Sequence, residues 1–268
     1  MKIGPDTPAT TAISSSNAAT IVIRGFDLTR ELVGSISFTD HFWLLLTGQL
    51  PTASQRAILD AVLVSIAEHG LVPSVQAARL TLAAAPEALQ GAVAAGLLGC
   101  GSVILGSAQV AGEFLHSVSE RSKDGGSDAT TRALVQAWHD TGRPIPGFGH
   151  PLHKSADPRV QRLYEIAAAV GLKGNHIEAA EAIERVVLSV TGKDLRMNVS
   201  VAIPAVLLDA GYPLLALKGA PLLARAAGLI GHLLEEQSHP IGFLMSHAAA
   251  SAISYDGPSP AGFVPDEN

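Results

Sequence analysis

Residues 146–159 hold the densest group of chemically capable side chains in the chain, reading Pro-Gly-Phe-Gly-His-Pro-Leu-His-Lys-Ser-Ala-Asp-Pro-Arg. Gly147 and Gly149 leave bare backbone just ahead of His150, so a ligand can approach the main chain closely there. His150 can donate a hydrogen bond or exchange a proton near neutral pH. Lys154 and Arg159 add two cations suited to phosphate and carboxylate. Asp157 followed by Pro158 reads as the N-cap and first residue of a helix. Backbone, imidazole and two cations ahead of a helix suit an anionic substrate with a reactive carbonyl.

Helices must position these groups. Ser37-x-x-Asp40 reads as a capping box ahead of the apolar run Phe42 to Leu46. Thr52-x-x-Gln55 is a second, followed by Leu59, Val62, Leu63 and Ile66 at helical spacing, with Gly70 as the stop. From Asp157 on, Val160, Leu163 and Ala167 share one face. Ile177, Ala180, Ile183, Val187 and Val190 make another helix that ends before Gly192. Asn198 to Leu208 is apolar nearly all round, the pattern of a buried helix, with Pro204 inside it as a bend. Leu214 to Glu236 predicts one or two helices with a break near Gly219–Pro221. Strand alternation is confined to Thr20–Arg24, which predicts a small hairpin, so the fold class is all-α. The polar loop 123–128 and the tail from Asp256 are the expected loose segments.

Composition narrows the function classes. A net charge of −6 and a pI near 5.9 argue against a nucleic-acid partner. The single cysteine, Cys100, excludes an intrachain disulfide and fits a reducing cytoplasm, and the opening residues hold no apolar signal-like run. The chain is 47% hydrophobic and only 16% charged, apolar enough to predict a homodimer with extensive helix-on-helix burial. Gly91 to Gly112 carries no charge over a length that could span a membrane. Its glycines and serines dilute it, and two buried helices are expected rather than a span.

The 146–159 stretch closely resembles the GFGH-x-x-x-K-x-x-DPR signature of the citrate synthase family, in the form used by its citryl-CoA lyase and ATP-citrate lyase branch. The resemblance runs on through the chain: Ile23-Arg-Gly-Phe-Asp27, Leu44-Leu-Leu-Thr-Gly-Gln-Leu-Pro-Thr52, Ala67-Glu-His-Gly-Leu-Val-Pro-Ser74 and Ala224-Arg-Ala-Ala-Gly228 all match in order. It implies a large helical lobe from residues 1–112 and 212–268, a small helical lobe from 113–211, and a site in the cleft between them in a dimer. It assigns catalytic roles to His150 and His69, and substrate-carboxylate contacts to Arg159 and Arg225. Gly147, Gly149 and Lys154 would meet coenzyme A. The substrates implied are an acyl-CoA and a carboxylate; no tightly bound cofactor, metal or membrane contact is implied. Plainer readings stand beside these: His69 as a helix C-cap, Arg159 as the partner of Asp157, Arg225 as a buried charge, and His232 as a reserve site histidine.

Departures from the family pattern fall on the side of the site that handles an enolate. The family's L-H-G-G-A turn reads Leu105-Gly-Ser-Ala108 after Ile104, so Leu105 replaces a catalytic histidine. The family's N-V-D segment reads Asn198-Val-Ser200, so Ser200 replaces a catalytic aspartate. A terminal Arg-Pro pair that binds substrate reads His239-Pro240. Cleaving a 3-hydroxyacyl thioester between its α and β carbons leaves a thioester enolate, which needs a donor on oxygen and an acid/base beside carbon. Leucine donates nothing, and an unassisted serine is no carboxylate. Two readings remain: a citryl-CoA lyase-like enzyme giving acetyl-CoA and oxaloacetate or a related 2-oxo acid, or a catalytically impaired homologue that binds acyl-CoA or carboxylate, or pairs with an active paralogue.

Overall fold

A computed structural model describes residues 9–101, 107–122, 128–149 and 157–263. Helices dominate it. The strands form one three-stranded antiparallel sheet, β1 (Ser14–Ser16), β2 (Ile21–Ile23) and β3 (Phe26–Asp27), rather than a lone hairpin. Arg24 and Gly25, both at positive φ (51° and 94°), make the tight turn between β2 and β3. A single π-helical turn, Leu28–Leu32, leads from there into the helices.

α1 (Phe38–Thr47) opens on the predicted capping box: the Asp40 amide donates to the Ser37 hydroxyl and the Ser37 amide to the Asp40 carboxylate. α2 (Ala53–Ala67) opens on the Thr52/Gln55 pair in the same reciprocal way. It ends ahead of Gly70, whose amide is taken by the Glu68 carboxylate. α3 (Pro73–Ala84) and α4 (Leu89–Leu98) follow, then α5 (Ser107–Ser122), so the charge-free stretch is divided between two helices. α6 (Asp128–His139), α7 (Pro158–Ala169), α8 (Asn175–Thr191) and α9 (Val199–Asp209) complete the middle of the chain. Gly192 ends α8 at φ 69°, as its position predicts. A short 3-10 turn, Leu214–Ala216, precedes α10 (Gly219–Ser238), and α11 (Gly242–Ala252) is last. The break expected within 219–221 thus falls before Gly219. Pro221 sits in the first turn of α10, where its missing N–H costs no helical bond.

The chain separates into two compact units, each built from two stretches: residues 1–63 with 107–220, and residues 64–106 with 221–268. These boundaries lie at other positions than those of the lobes the resemblance implies. In the first unit α9 is the central rod. Val199 and Val201 to Leu207 are buried, and α5, α7 and α8 pack around it. Each large apolar side chain buried there contributes about 1.5–3 kcal/mol. Gly112 lets α5 come close to Pro204 and Leu217, where a Cβ would collide. The second unit has its core in Val75, Ala78 and Leu82 of α3, Ala92 of α4, and Leu229 and Leu233 of α10. The stretch Leu214–Ser238 is long and apolar enough to cross a membrane by length and composition, yet Leu229 and Leu233 on it are core residues.

Candidate active site

In the first unit the glycine loop is stitched to the start of α9. Phe148 and Met197 form an isolated antiparallel bridge, and the Gly149 amide donates to the Arg196 carbonyl at 2.8 Å. Asn198 makes three bonds at once. Its amide donates to the Gly147 carbonyl (2.9 Å), its side-chain N–H to the Gly149 carbonyl (2.6 Å), and its side-chain oxygen accepts the Ser200 amide (2.8 Å). Both glycines stand at φ +83°, the left-handed region that other residues reach only with strain. Gly147 is required twice over, because a Cβ there would also collide with Val201.

Asp157 links α7 to the same place. It caps α7 by accepting the Arg159 amide (3.1 Å) and also accepts the Val199 amide (3.0 Å) at the start of α9. Arg159 returns a two-pronged contact to it, Nε at 2.9 Å and Nη2 at 2.8 Å. The Asp157 side chain is fully shielded from solvent, and that of Arg159 is 21% exposed. Burial pushes the Asp157 carboxyl up, but the Arg159 side chain and the Arg159 and Val199 amides together hold it below the usual carboxylate range. The plainer reading of Arg159 therefore holds. Among the described residues only its Nη1 is left without a partner.

Ser200, at the second residue of α9, is half-buried, and its hydroxyl lies 3.0 Å from that of Ser107, the first residue of α5. Gly147, Gly149 and Ser200 are thus joined through Asn198, and Arg159 through Asp157 to the adjacent Val199, so both sets of hydrogen bonds meet at the first residues of α9. A cavity of about 340 Å³ opens beside the glycine loop, walled by Ile145, Phe148 and Leu195 and bearing Arg143, Lys193 and His139. His150, Lys154 and Leu105 lie outside the described residues.

In the second unit Arg225 of α10 is 3% exposed, and its Nε and Nη1 have no hydrogen-bond partner among the described residues. Leaving such donors unpaired costs about 1–3 kcal/mol each. Buried arginines normally have their donors filled, so the side chain is shaped for an acceptor such as a carboxylate. His69 is exposed just past the end of α2, and His239 is exposed just past the end of α10.

A buried arginine that sequence reasoning did not single out holds the His239 segment directly and borders the other through His232. Arg79 of α3, 2% exposed, donates through Nε to Glu236 (2.6 Å), through Nη1 to Glu235 (2.7 Å), and through Nη2 to the His239 carbonyl (3.0 Å). His232 lies 3.4 Å from Arg79 Nη1 through Nδ1 and 2.8 Å from Glu68 through Nε2, so the reserve histidine is part of this network. Glu236 also accepts the Ile241 and Gly242 amides at the start of α11. Burial raises its carboxyl, and the Arg79 guanidinium with those amides more than offsets this, holding it below the usual range. The lone charge within the apolar run of α3 was the available signal. A second cluster, His116–His176–Asp209, also escaped the sequence reading. His176 Nδ1 lies 2.8 Å from Asp209 and its Nε2 lies 3.1 Å from His116.

Comparison with known proteins adds to this geometry. The family description "citrate synthase, C-terminal domain" matches residues 53–242. The citryl-CoA lyase from Hydrogenobacter thermophilus is similar over 96% of this chain and 97% of its own, at 32% identity and a TM-score of 0.84. The ATP citrate lyase from Methanothrix soehngenii, solved with citrate and coenzyme A, shares the fold: TM-score 0.76 and 23% identity, over 96% of this chain and 43% of its own. The citrate/2-methylcitrate synthase of Bacillus subtilis (strain 168) is 27% identical over 228 residues, 84% of this chain and 57% of that protein. The chain spans a little over half the length of the curated relatives it matches.

Proposed function

The chain belongs to the citrate synthase family, and from that premise we propose that it is a citryl-CoA lyase-like enzyme that cleaves the carbon–carbon bond of a 3-hydroxyacyl-CoA such as citryl-CoA. The observation that carries this reading is the likeness to a citryl-CoA lyase over nearly the whole of both chains. The reaction gives acetyl-CoA and oxaloacetate, or a related 2-oxo acid. A base takes the proton of the β-hydroxyl, the carbonyl forms, the electron pair of the breaking bond passes to the thioester as its enolate, and one proton added at the enolate carbon completes acetyl-CoA. We assign the β-oxygen to His150, with His69 as the second histidine. The unpaired N–H groups of Arg225 suit a substrate carboxylate. Arg159 has less to offer, since Asp157 already takes two of its five N–H groups, and Nη1 with the second Nη2 hydrogen is what remains. His239 is assigned to a further carboxylate. For coenzyme A we assign Gly147, Gly149 and Lys154. The adjoining cavity with Arg143 and Lys193 on apolar walls has the chemistry for phosphate and an aromatic base.

The lobes 1–112 with 212–268 and 113–211, the cleft site, a homodimer and a cytoplasmic setting complete the proposal. The exposed Leu98, Leu234 and Phe243 support the dimer. One observation favours the second reading, a protein that binds the ester without turning it over: Ser200 offers a hydroxyl where the family pattern has a carboxylate. Mixing the protein with citryl-CoA and following oxaloacetate release, with His150→Ala as control, separates the two. His150-dependent release is expected. No release while the ester still binds by calorimetry would replace the lyase with the binding protein.

A further inference from the structure

The side of the site that must stabilise an enolate has no donor assigned to it so far, and one pair of side chains is built for that task. On the reading that the ligand is a CoA thioester, we propose that the Ser107–Ser200 hydroxyl pair hydrogen-bonds the thioester oxygen as it takes on negative charge, Ser200 acting as the donor and Ser107 as the residue that polarises it. The two hydroxyl oxygens lie 3.0 Å apart, from segments 93 residues apart in sequence, with Ser107 set as the donor of that bond. In that arrangement the Ser200 oxygen accepts, and its own hydrogen is left for a ligand, no other side-chain partner of Ser200 Oγ being found among the described residues. A hydroxyl that accepts one hydrogen bond donates the next more strongly. Ser200 is half-buried, open enough to meet a ligand and shielded enough for the bond to count.

The placement of the donor is fixed from several sides. The Ser200 amide is held by Asn198, the Val199 amide by Asp157, and Asn198 itself by the carbonyls of Gly147 and Gly149. The hydroxyl therefore stands at a set position beside the loop that leads into His150. A donor that needs no rearrangement when charge appears is what lowers the barrier to an oxyanion. The proposed step moves no proton through serine. As the carbon–carbon bond breaks, its electron pair becomes the enolate, and the Ser200 O–H stays intact and tightens its bond to oxygen. This gives the serine a role that a carboxylate could not fill, because an ionised carboxylate only accepts.

The test uses the whole protein and two ligands, coenzyme A and S-carboxymethyl-coenzyme A, whose thioether carries a carboxylate close to where the enolate charge would lie. By calorimetry the wild type should prefer the carboxymethyl compound. Ser200→Ala should cut that preference by roughly 10–100-fold, the worth of one hydrogen bond to a charged group, while affinity for coenzyme A stays the same. Ser200→Thr, which keeps the hydroxyl, should retain the preference; this ratio is a readout that a merely structural serine would not move. Ser107→Ala should cost roughly 3-fold alone and add nothing once Ser200 is alanine, as expected for a residue acting through its partner. An unchanged preference in Ser200→Ala overturns the proposal and leaves the coenzyme A reading standing. A wild type that binds neither compound removes the coenzyme A reading, and the role of the hydroxyls with it.

Discussion

The resemblance implies the same task for Arg159 and Arg225, yet Arg159 is paired in part by its own chain and Arg225 is buried with donors unfilled. Arg159 lies two residues from its own carboxylate and is locked to it through two N–H groups. Arg225 is 3% exposed with Nε and Nη1 unpaired. Arg79, in the same unit as Arg225, shows the fully satisfied extreme, with two carboxylates and a carbonyl around a side chain 2% exposed. An arginine whose donors are filled by its own chain is explained by folding alone. One buried with its donors unfilled costs stability in the free protein and recovers it only from a ligand. The difference therefore ranks the two as ligand contacts in a way that their motifs do not.

Methionine substitutions sharpen that contrast, because methionine keeps the bulk and drops the charge. Arg79→Met should have the largest effect, a loss of about 3–5 kcal/mol in denaturant unfolding, since it strands the buried Glu236. Arg225→Met should act on binding instead: oxaloacetate affinity measured by calorimetry should fall about 100-fold or more, while stability holds or rises by about 1 kcal/mol. Oxaloacetate affinity equal to wild type would put Arg225 with the structural arginines. Arg159→Met should lose about 2 kcal/mol, less than Arg79→Met because Asp157 keeps two backbone donors.

The smallest effect is on the acid limb of the stability curve. Asp157 and Glu236 are both held below their ordinary values, so each contributes stability that is complete above its unfolded value, about 3.9 for Asp and 4.3 for Glu. That contribution is lost as pH falls through the lower folded values. The melting temperature should drop between about pH 4 and pH 2, and Asp157→Asn should flatten part of that drop. An acid limb identical in the variant would mean that Asp157 is not depressed in the folded state.

Local rules carried most of the fold. Ser37 with Asp40, Thr52 with Gln55, Asp157 before Pro158, and Gly192 after α8 each act within a few residues, and each appears as its spacing predicts. The break before α10 lies slightly earlier than the sequence predicts, because Gly219 and Pro221 both look like interruptions, yet proline in a first turn continues a helix. The partnerships were not legible. Arg79 meets Glu236 across 157 residues, Ser107 meets Ser200 across 93, and His116 meets His176 across 60. Residue types announced that Arg79 and Arg225 needed partners; only the tertiary fold decides that one receives them from its own chain.

Asn198 ties the turn at Gly147 and Gly149 to the first residues of α9 through a single side chain and its own amide. Such a rivet makes two segments open as one. The Gly149 and Ser200 amides, far apart in sequence, should lose protection against deuterium at a shared rate. Asn198→Ala should raise both rates together and leave amides in the middle of α9 unchanged, so that the loop ahead of His150 keeps time with a helix to which no continuous run of chain connects it closely.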